Sequence, residues 1–274
     1  MKALRKGSSG PRVTHWQEFL RGLELYMGPC LGLFNDDVYQ ATKAFQRMVG
    51  LDLVDGVVGN DTYQEAMYQG FELIQSDNEG RHGPNWPPRP AGLRKMALEE
   101  RRSTFGLIEF RHKPVEGNPE EVEVTNGWAE ENVVKATIPQ LAQIKGIHYR
   151  GRIVGRGPKD GVVYCHRLFV EPLRATFSDW EGAGLMPGIL TYDGLLAIRF
   201  IRGSRQVLSN HCYGAAIDLN AAWNGLGCRP ALVGQRGCLR EHVEIANRNG
   251  IWWLGHTKKD GMHFELGVKR QDGS

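Results

Sequence analysis

The chain has 274 residues, of which 41% are hydrophobic and 24% charged, so it has enough apolar material for a folded core and whole-chain disorder is excluded. Lys and Arg number 34 against 31 Asp and Glu, and the net charge of +3 is too small to indicate a nucleic-acid-binding protein. No uncharged apolar run reaches the ~18 residues of a membrane span, so we expect neither nucleic acid nor a membrane as a partner.

The amino terminus and the cysteines predict synthesis in a cytoplasm without a signal peptide. The basic residues within 1–6 are followed by Gly7–Pro11, where a secretory signal peptide needs an apolar stretch. The five cysteines are odd in number and scattered, which is typical of reduced thiols. Cys228 and Cys238 are the only close pair in the sequence, and a disulfide between them remains open.

Residues 1–75 predict three short helices joined by glycine-containing turns. The first is expected to begin at Pro11, because proline is tolerated in a first helical turn and apolar residues follow at three- and four-residue spacing. Asn35 or Asp36 can cap the second helix, and residues 59–61 can cap the third. The residues alone therefore indicate an all-α three-helix bundle that binds a partner and carries no visible chemistry.

A set of glycine, aromatic and polar positions spread over residues 3–70 makes this helical unit more specific. The positions are Lys6–Val13, Gln17, Leu20, Gly32, Phe34, Thr42, Ala44–Gln46, Gly50–Leu51, Asp55–Gly59 and Thr62. This pattern resembles the three-helix peptidoglycan-binding domain, with one departure, since Cys30-Leu31 stands where an aspartate–glycine pair is usual. The resemblance implies bacterial peptidoglycan as the partner.

The middle of the chain predicts a linker and a scaffold. Residues 76–95 are polar and rich in Pro and Gly, which is typical of an extended linker, and Trp86 can pin it to a neighbouring domain. Further on, helices are expected over 96–102, after Pro139 and over 172–181, and strands over 105–110, 121–125, 133–138 and 162–167. These elements carry no separate motif.

Two short motifs in the second half carry the candidate chemistry. Residues 209–220 contain His211 and Asp218, the latter inside an apolar, strand-like run, and His263 opens a second strand-like run. Two adjacent strands can place these three side chains on one face. Zinc hydrolases commonly use three protein ligands and keep a fourth position for water. Mixed nitrogen and oxygen ligands do not fix the metal, however, and a structural role for the histidines stays open.

The spacing of the two motifs is more specific than the ligand types. The chain contains Ser-x-His-x-x-Gly-x-Ala-x-Asp and later Asp-x-x-His, formed by Ser209, His211, Gly214, Ala216, Asp218, Asp260 and His263. This resembles the signature of M15-like zinc peptidases that cut peptidoglycan stem peptides, namely D-alanyl-D-alanine carboxypeptidases and dipeptidases and the L-alanyl-D-glutamate endopeptidases of phage lysins. The resemblance implies an α+β domain with an antiparallel sheet and Zn²⁺ held by His211, Asp218 and His263.

Catalytic roles follow from the same resemblance. Asp260 is expected to be the general base, because it lies three residues before a ligand; the alternative is a turn residue before Gly261. A positive charge is needed where the oxyanion develops, and Arg199, in the strand-like run 196–201, is the first candidate. Arg202 is the second candidate and Arg205 the third, and a solvated surface role is the alternative for each.

The remaining polar and aromatic residues around the motifs receive minor roles. We expect Ser209 to hydrogen-bond locally and Cys212 to point away from the metal. Glu265 can orient a ligand histidine. Residues expected to line the cleft or its rim are Trp223, Asn224, His256 and one of Trp252 and Trp253.

These expectations combine into a modular, phage-encoded endolysin. The predicted domains are a peptidoglycan-binding domain over 1–75, a linker over 76–95 and a zinc peptidase over 96–270 with its motif core at 192–266. We expect a monomer made in the host cytoplasm and acting at the cell wall, where it cleaves a stem-peptide amide bond, first of all L-alanyl-D-glutamate. The alternatives are a D-alanyl-D-alanine carboxypeptidase and a non-catalytic, zinc-containing wall-binding protein. A lysozyme would need two carboxylates flanking a sugar bond, and no such pair is evident.

Overall fold

The computed structural model describes residues 3–69, 71, 85–149, 152–227, 229–257 and 260–270. Residues 76–84 of the predicted linker 76–95 lie outside the described residues. Cys228 lies outside them as well, so the Cys228–Cys238 disulfide stays an open prediction.

Eight α-helices and twelve β-strands form within this described part of the chain. The helices are α1 Pro11–Gly22, α2 Asp36–Met48, α3 Asn60–Tyr68, α4 Leu98–Phe105, α5 Trp128–Asn132, α6 Val170–Gly182, α7 Ala221–Asn224 and α8 Val243–Arg248. The strands are β1 Leu93–Arg94, β2 Phe110–His112, β3 Val122–Val124, β4 Val133–Thr137, β5 Ile147–Tyr149, β6 Arg152–Val154, β7 Val162–His166, β8 Tyr192–Gly194, β9 Ala216–Leu219, β10 Ile251–Trp253, β11 His263–Leu266 and β12 Val268–Lys269. No helix of the described residues has the length and apolarity needed to cross a membrane.

The chain divides into two compact units that are not continuous in sequence. The first contains the described residues within 1–88, 221–241 and 255–262, and the second contains those within 89–220, 242–254 and 263–274. The N-terminal region is helical and the C-terminal region contains a sheet, as expected. The predicted domain limits at residues 75 and 95 stay a prediction.

In the first unit, the three N-terminal helices form where the sequence predicts them. α1 begins at Pro11, and the Asn35 side chain caps α2 by accepting a hydrogen bond from the Val38 N–H at 3.1 Å. α3 instead begins after Gly59, with no hydrogen bond from a capping side chain. Trp16 packs edge-on against Phe45 with ring centroids 5.5 Å apart, and this aromatic cluster forms the core of the helices.

In the second unit, a four-stranded antiparallel sheet positions the candidate metal ligands. The strand order is β10-β11-β9-β8, and His263 at the start of β11 pairs with Asp218 on β9. Helix α6 covers the sheet through Trp180, whose ring lies 5.8 Å from that of Phe264. The antiparallel sheet of the predicted domain is therefore present. Four further two-stranded pairs join β1 to β12, β2 to β3, β4 to β7 and β5 to β6.

Two predicted strands are wrong. The apolar run 105–110 begins at the end of α4, and Gly106 ends that helix with φ 86°, so β2 starts only at Phe110. The run around Arg199 forms only isolated bridges, Glu121 with Arg199 and Phe200 with Leu208. In both segments the apolar side chains meet the core from irregular backbone, which short apolar runs do not distinguish from a strand.

Candidate metal centre

His211, Asp218 and His263 are brought together by a tight turn and two paired strands. The 3₁₀ turn Asn210–Tyr213 carries His211, and Ser209 opens it by accepting a hydrogen bond from the His211 N–H through its hydroxyl. Gly214 closes the turn with φ 63°, and a Cβ there would lie 2.8 Å from the backbone nitrogen of His166. The chain then enters β9 at Ala216, and Asp218 is the third residue of that strand.

The three side chains aim their ligand atoms at one point. The His211 Nε2 and His263 Nδ1 atoms are 3.1 Å apart, and the Asp218 oxygens lie 3.2 Å and 3.0 Å from these two nitrogens. Two ligand atoms bound at about 2.0–2.1 Å from one zinc ion at a tetrahedral angle lie roughly 3.3–3.4 Å apart. With one ligand atom taken from each residue, the three atoms lie within 4.8 Å of one another, so these residues can hold a metal ion.

Each histidine has its other ring nitrogen occupied by an acceptor. His211 Nδ1 lies 2.7 Å from the Leu195 carbonyl oxygen, and His263 Nε2 lies 3.0 Å from the Glu265 carboxylate. Both acceptors favour a proton on the nitrogen that faces them, so in the neutral imidazole the opposite nitrogen is the one able to bind a metal. The predicted orienting role of Glu265 agrees with this contact, and Asn210 fixes Glu265 by a further hydrogen bond.

The centre is buried and rich in negative charge. Burial alone raises the pKa of Asp218, but the charges and hydrogen bonds of His211 and His263 outweigh it and lower that pKa. Burial likewise lowers the pKa of His263, yet hydrogen bonds to Asp218 and Glu265 raise it overall to about 10. Asp218 thus stabilises positive charge at the point where the ligand atoms meet, and Glu265 does so at the opposite nitrogen of the His263 ring.

Charges behind Glu265 keep it ionised. Burial alone raises its pKa, while His263, Lys95 and Arg101 together lower it. The Arg101 guanidinium is itself buried and donates a hydrogen bond to the Leu208 carbonyl at 3.2 Å. No local pattern indicated this contact, because Arg101 lies more than 100 positions from the motif.

Asn220 fixes the end of the ligand strand, a role that the sequence analysis missed. Its backbone has φ 51°, and its side-chain oxygen accepts hydrogen bonds from the Leu190 and Thr191 N–H groups at 2.7 and 2.9 Å. Its amide nitrogen donates to the Gly188 carbonyl at 2.8 Å. In the sequence, the only indication of this role is that Asn220 is a polar residue directly after an apolar, strand-like run.

The two predicted catalytic residues lie in different units. Asp260 is buried in the first unit, on segment 255–262, whereas the three ligands belong to the second. Arg199 is half-buried in the second unit, and its guanidinium donates to the Phe200 carbonyl at 3.0 Å. Their catalytic roles stay predictions. Arg202 forms an ion pair with Glu120 at 2.7 Å, so its charge is already partnered.

Several residues predicted at the cleft rim are core residues instead. At most 3% of the surface is exposed in each of Trp223, Asn224, Trp252 and Trp253. The three indole rings are buried, and the Asn224 side chain is hydrogen-bonded to the backbone of Ala231 and Gly237. His256 is buried as well. Cys212 is not one of the three clustered ligands, and burial raises the pKa of its thiol to about 12, which leaves it unreactive.

Comparison with known protein families finds one match near each end of the chain. The family described as a putative peptidoglycan binding domain matches residues 9–65, and the family described as D-alanyl-D-alanine carboxypeptidase matches residues 202–266. No curated protein and no solved structure matches the chain significantly. The chain therefore has an N-terminal peptidoglycan-binding domain and a C-terminal domain like the M15 peptidases. The second match contains the whole His211–Asp218–His263 cluster.

Proposed function

We propose that this protein is a zinc-dependent peptidoglycan hydrolase of the endolysin type, which cleaves the L-alanyl-D-glutamate bond of the stem peptide. The observation that carries this proposal is the buried cluster of His211, Asp218 and His263 within the segment that matches a peptidase family. A peptidoglycan-binding domain on the same chain supports the cell wall as the substrate.

The cluster offers one nitrogen from each histidine and the carboxylate of Asp218 for zinc. Two nitrogens and an oxygen suit zinc among the common biological cations, whereas magnesium and calcium prefer oxygen ligands. When bound, zinc supplies a Lewis acid that polarises the scissile carbonyl and activates a water molecule. The Leu195 carbonyl and Glu265 keep the two histidine rings in the orientation that this requires.

The proton transfers and the charge stabilisation fall to residues of this chain. Asp260 accepts a proton from the attacking water and delivers it to the nitrogen of the leaving amine. Arg199 stabilises the oxyanion of the tetrahedral species, since an amide carbonyl gains negative charge during attack. Asp260 precedes the ligand His263 by three residues, and this Asp-x-x-His spacing resembles the endopeptidases of phage lysins.

A second candidate is a D-alanyl-D-alanine carboxypeptidase. The observation that favours it is the description of the family that matches residues 202–266. The two activities use the same metal centre and differ in the bond, so the products distinguish them. A phage-encoded, monomeric enzyme made in the host cytoplasm fits either candidate.

The peptidoglycan-binding domain raises the local substrate concentration. A wall-bound module converts each later encounter of the peptidase with a stem peptide into an intramolecular event, and this increases the rate without new catalytic contacts.

The proposal is tested by the release of new amino groups from purified sacculi. The zinc-loaded protein is expected to release them, and treatment with EDTA is expected to stop the release until zinc is restored. A zinc-loaded, folded protein that binds sacculi and releases no amino groups would favour the non-catalytic wall-binding alternative.

A further inference from the structure

The first compact unit joins the peptidoglycan-binding helices to two segments of the peptidase match. These segments are 221–241, which follows the ligand Asp218 in sequence, and 255–262, which carries Asp260. Both are interior parts of the peptidase match, yet they fold together with α1–α3.

A buried ion pair fastens segment 221–241 to α1. The Glu18 carboxylate accepts a hydrogen bond from the backbone N–H of Arg229 at 2.8 Å and lies 3.6 Å from the Arg229 guanidinium. The two side chains are 5% and 10% exposed. Glu18 thus holds both the main chain and the charge of Arg229, and breaking a buried pair of this kind is far more costly than breaking an exposed one.

Apolar and main-chain contacts extend the same attachment. Leu232 is buried in the aromatic core that contains Trp16. The Arg240 guanidinium donates to the Pro230 carbonyl at 2.8 Å and to the Ala231 carbonyl at 2.9 Å, and it lies 5.3 Å from the ring of Trp86. Segment 221–241 is therefore shaped by contacts with α1, with the N-terminal core and with Trp86.

The attached segment in turn supports the residues next to Asp260. Pro230 packs against Gly261 so closely that a Cβ at residue 261 would lie 2.4 Å from the Pro230 Cβ. The Met262 N–H donates to the Asn224 carbonyl at 3.0 Å. Segment 221–241, which Glu18 holds against α1, therefore fixes the backbone on the C-terminal side of Asp260.

We propose that the peptidoglycan-binding domain positions the general base of the peptidase, with Glu18 as the positioning residue that acts through Arg229, Pro230 and Gly261 on Asp260. This inference rests on the proposed function, because it takes Asp260 as the base. The N-terminal domain is then part of the catalytic apparatus in addition to being a wall anchor. The enzyme depends on it even when the substrate is a small soluble peptide.

The test compares Glu18→Gln with Glu24→Gln in the full-length, zinc-loaded chain. Both variants remove one negative charge near α1, but Glu24 forms an exposed ion pair with Arg236 of the same segment. The substrate is a soluble stem tripeptide that contains the L-alanyl-D-glutamate bond, so binding to the polymeric wall does not affect the measured rate. Hydrogen exchange of the amides in 221–241 and 255–262 is measured alongside kcat and KM.

We expect Glu18→Gln to lower kcat about tenfold or more with little change in KM, since small displacements of a catalytic group are costly. Exchange in both segments becomes faster, while zinc content and sacculus binding stay at wild-type levels. Glu24→Gln stays within about twofold of the wild type in every measurement, because exposed pairs contribute little.

A wild-type kcat in Glu18→Gln, or unchanged exchange in the two segments, would overturn the inference. If Glu18→Gln does not fold, Arg229→Lys, which keeps the charge and the backbone hydrogen bond, is used instead and is expected to show a smaller loss of kcat in the same direction. Should the wild type cleave neither the peptide nor sacculi, the proposed function fails, and the exchange data still decide whether Glu18 orders the two segments.

Discussion

At the scale of single residues, the candidate metal centre depends on which ring nitrogen each histidine presents. His211 presents Nε2 and His263 presents Nδ1, because their opposite nitrogens face the Leu195 carbonyl and Glu265. Two different ring nitrogens thus face the cluster, each opposite its own acceptor. The centre is therefore sensitive to residues that do not themselves touch the metal.

Replacing Glu265 by glutamine should weaken zinc binding. The neutral amide lacks the negative charge that stabilises a proton on His263 Nε2. The centre also loses one of its two carboxylates. We expect zinc affinity to fall by about 10- to 100-fold, measured by competition with a chromogenic chelator. The control is Glu123→Gln, a partly buried glutamate that pairs with Arg111 and Lys113 and not with the ligands. An unchanged affinity in Glu265→Gln would show that Glu265 has only a packing role.

Replacing Asp260 by asparagine should abolish hydrolysis and leave the metal in place. The amide is isosteric with the carboxylate but cannot accept the proton of the attacking water. We expect kcat to fall by about 10²- to 10⁴-fold, with thermal unfolding and zinc content as in the wild type. Loss of zinc or of folding in this variant would instead assign Asp260 a structural role.

At the scale of secondary-structure elements, a buried histidine links α8 to α6. His242 accepts the indole N–H of Trp180 through its carbonyl at 2.9 Å, and its ring nitrogen Nε2 lies 2.9 Å from the Leu185 carbonyl. Burial lowers the pKa of His242 from 6.5 to about 4, and the hydrogen bond to Leu185 offsets only part of this effect.

This shift predicts that the protein loses stability in mild acid. Because the folded-state pKa lies below the unfolded value, the unfolded state binds the extra proton first. The contribution is therefore present above pH 6.5 and is lost as the pH falls towards 4. Between about pH 7 and about pH 5 we expect the wild type to lose about 2 kcal/mol more free energy of unfolding than His242→Gln, measured by urea denaturation. Parallel losses in the two proteins would contradict the assignment.

Asn220 should matter more for stability than its single position suggests. Asn220→Ala leaves the Leu190 and Thr191 N–H groups without their acceptor and places alanine at φ 51°. We expect a loss of about 3 kcal/mol in the free energy of unfolding. Asn220→Gly, which tolerates the backbone conformation, separates the two causes and should lose less. Equal stability of Asn220→Ala and the wild type would show that the loop at 188–191 is held by other contacts.

The elements that sequence reasoning predicted well are those set by local signals. Pro11 and Asn35 set the starts of α1 and α2, and the glycine of the first motif closes the turn before β9. The ligand cluster follows because motif spacing and strand pairing are both regular. The segment 105–110 was predicted wrongly, since a helix ending in Gly106 and a short strand share the same apolar composition.

At the scale of the whole molecule, the contacts that sequence reasoning missed join distant parts of the chain. Glu18 and Arg229 are 211 positions apart, and neither belongs to a motif. Such pairs depend on which surfaces meet after folding, so no local pattern encodes them. The compact units therefore do not follow the linear order of a binding domain and then a peptidase, because the first unit also contains 221–241 and 255–262.

Wall binding and hydrolysis should separate when the metal is removed. The peptidoglycan-binding match covers residues 9–65, which contain none of the three candidate ligands. We expect EDTA-treated protein to co-sediment with sacculi as the zinc-loaded protein does, while hydrolysis is lost. Loss of sedimentation together with hydrolysis would mean that the peptidase half provides the wall contact.

The measurement that tests the account most directly is mass spectrometry of the fragments released from purified Gram-negative sacculi by the zinc-loaded protein, with an EDTA-treated control. The account predicts free stem peptides that begin at D-glutamate and that are lost with EDTA. Release of terminal D-alanine alone would replace the endopeptidase with a carboxypeptidase, and the absence of any peptide-bond product would contradict the assignment of a zinc peptidase.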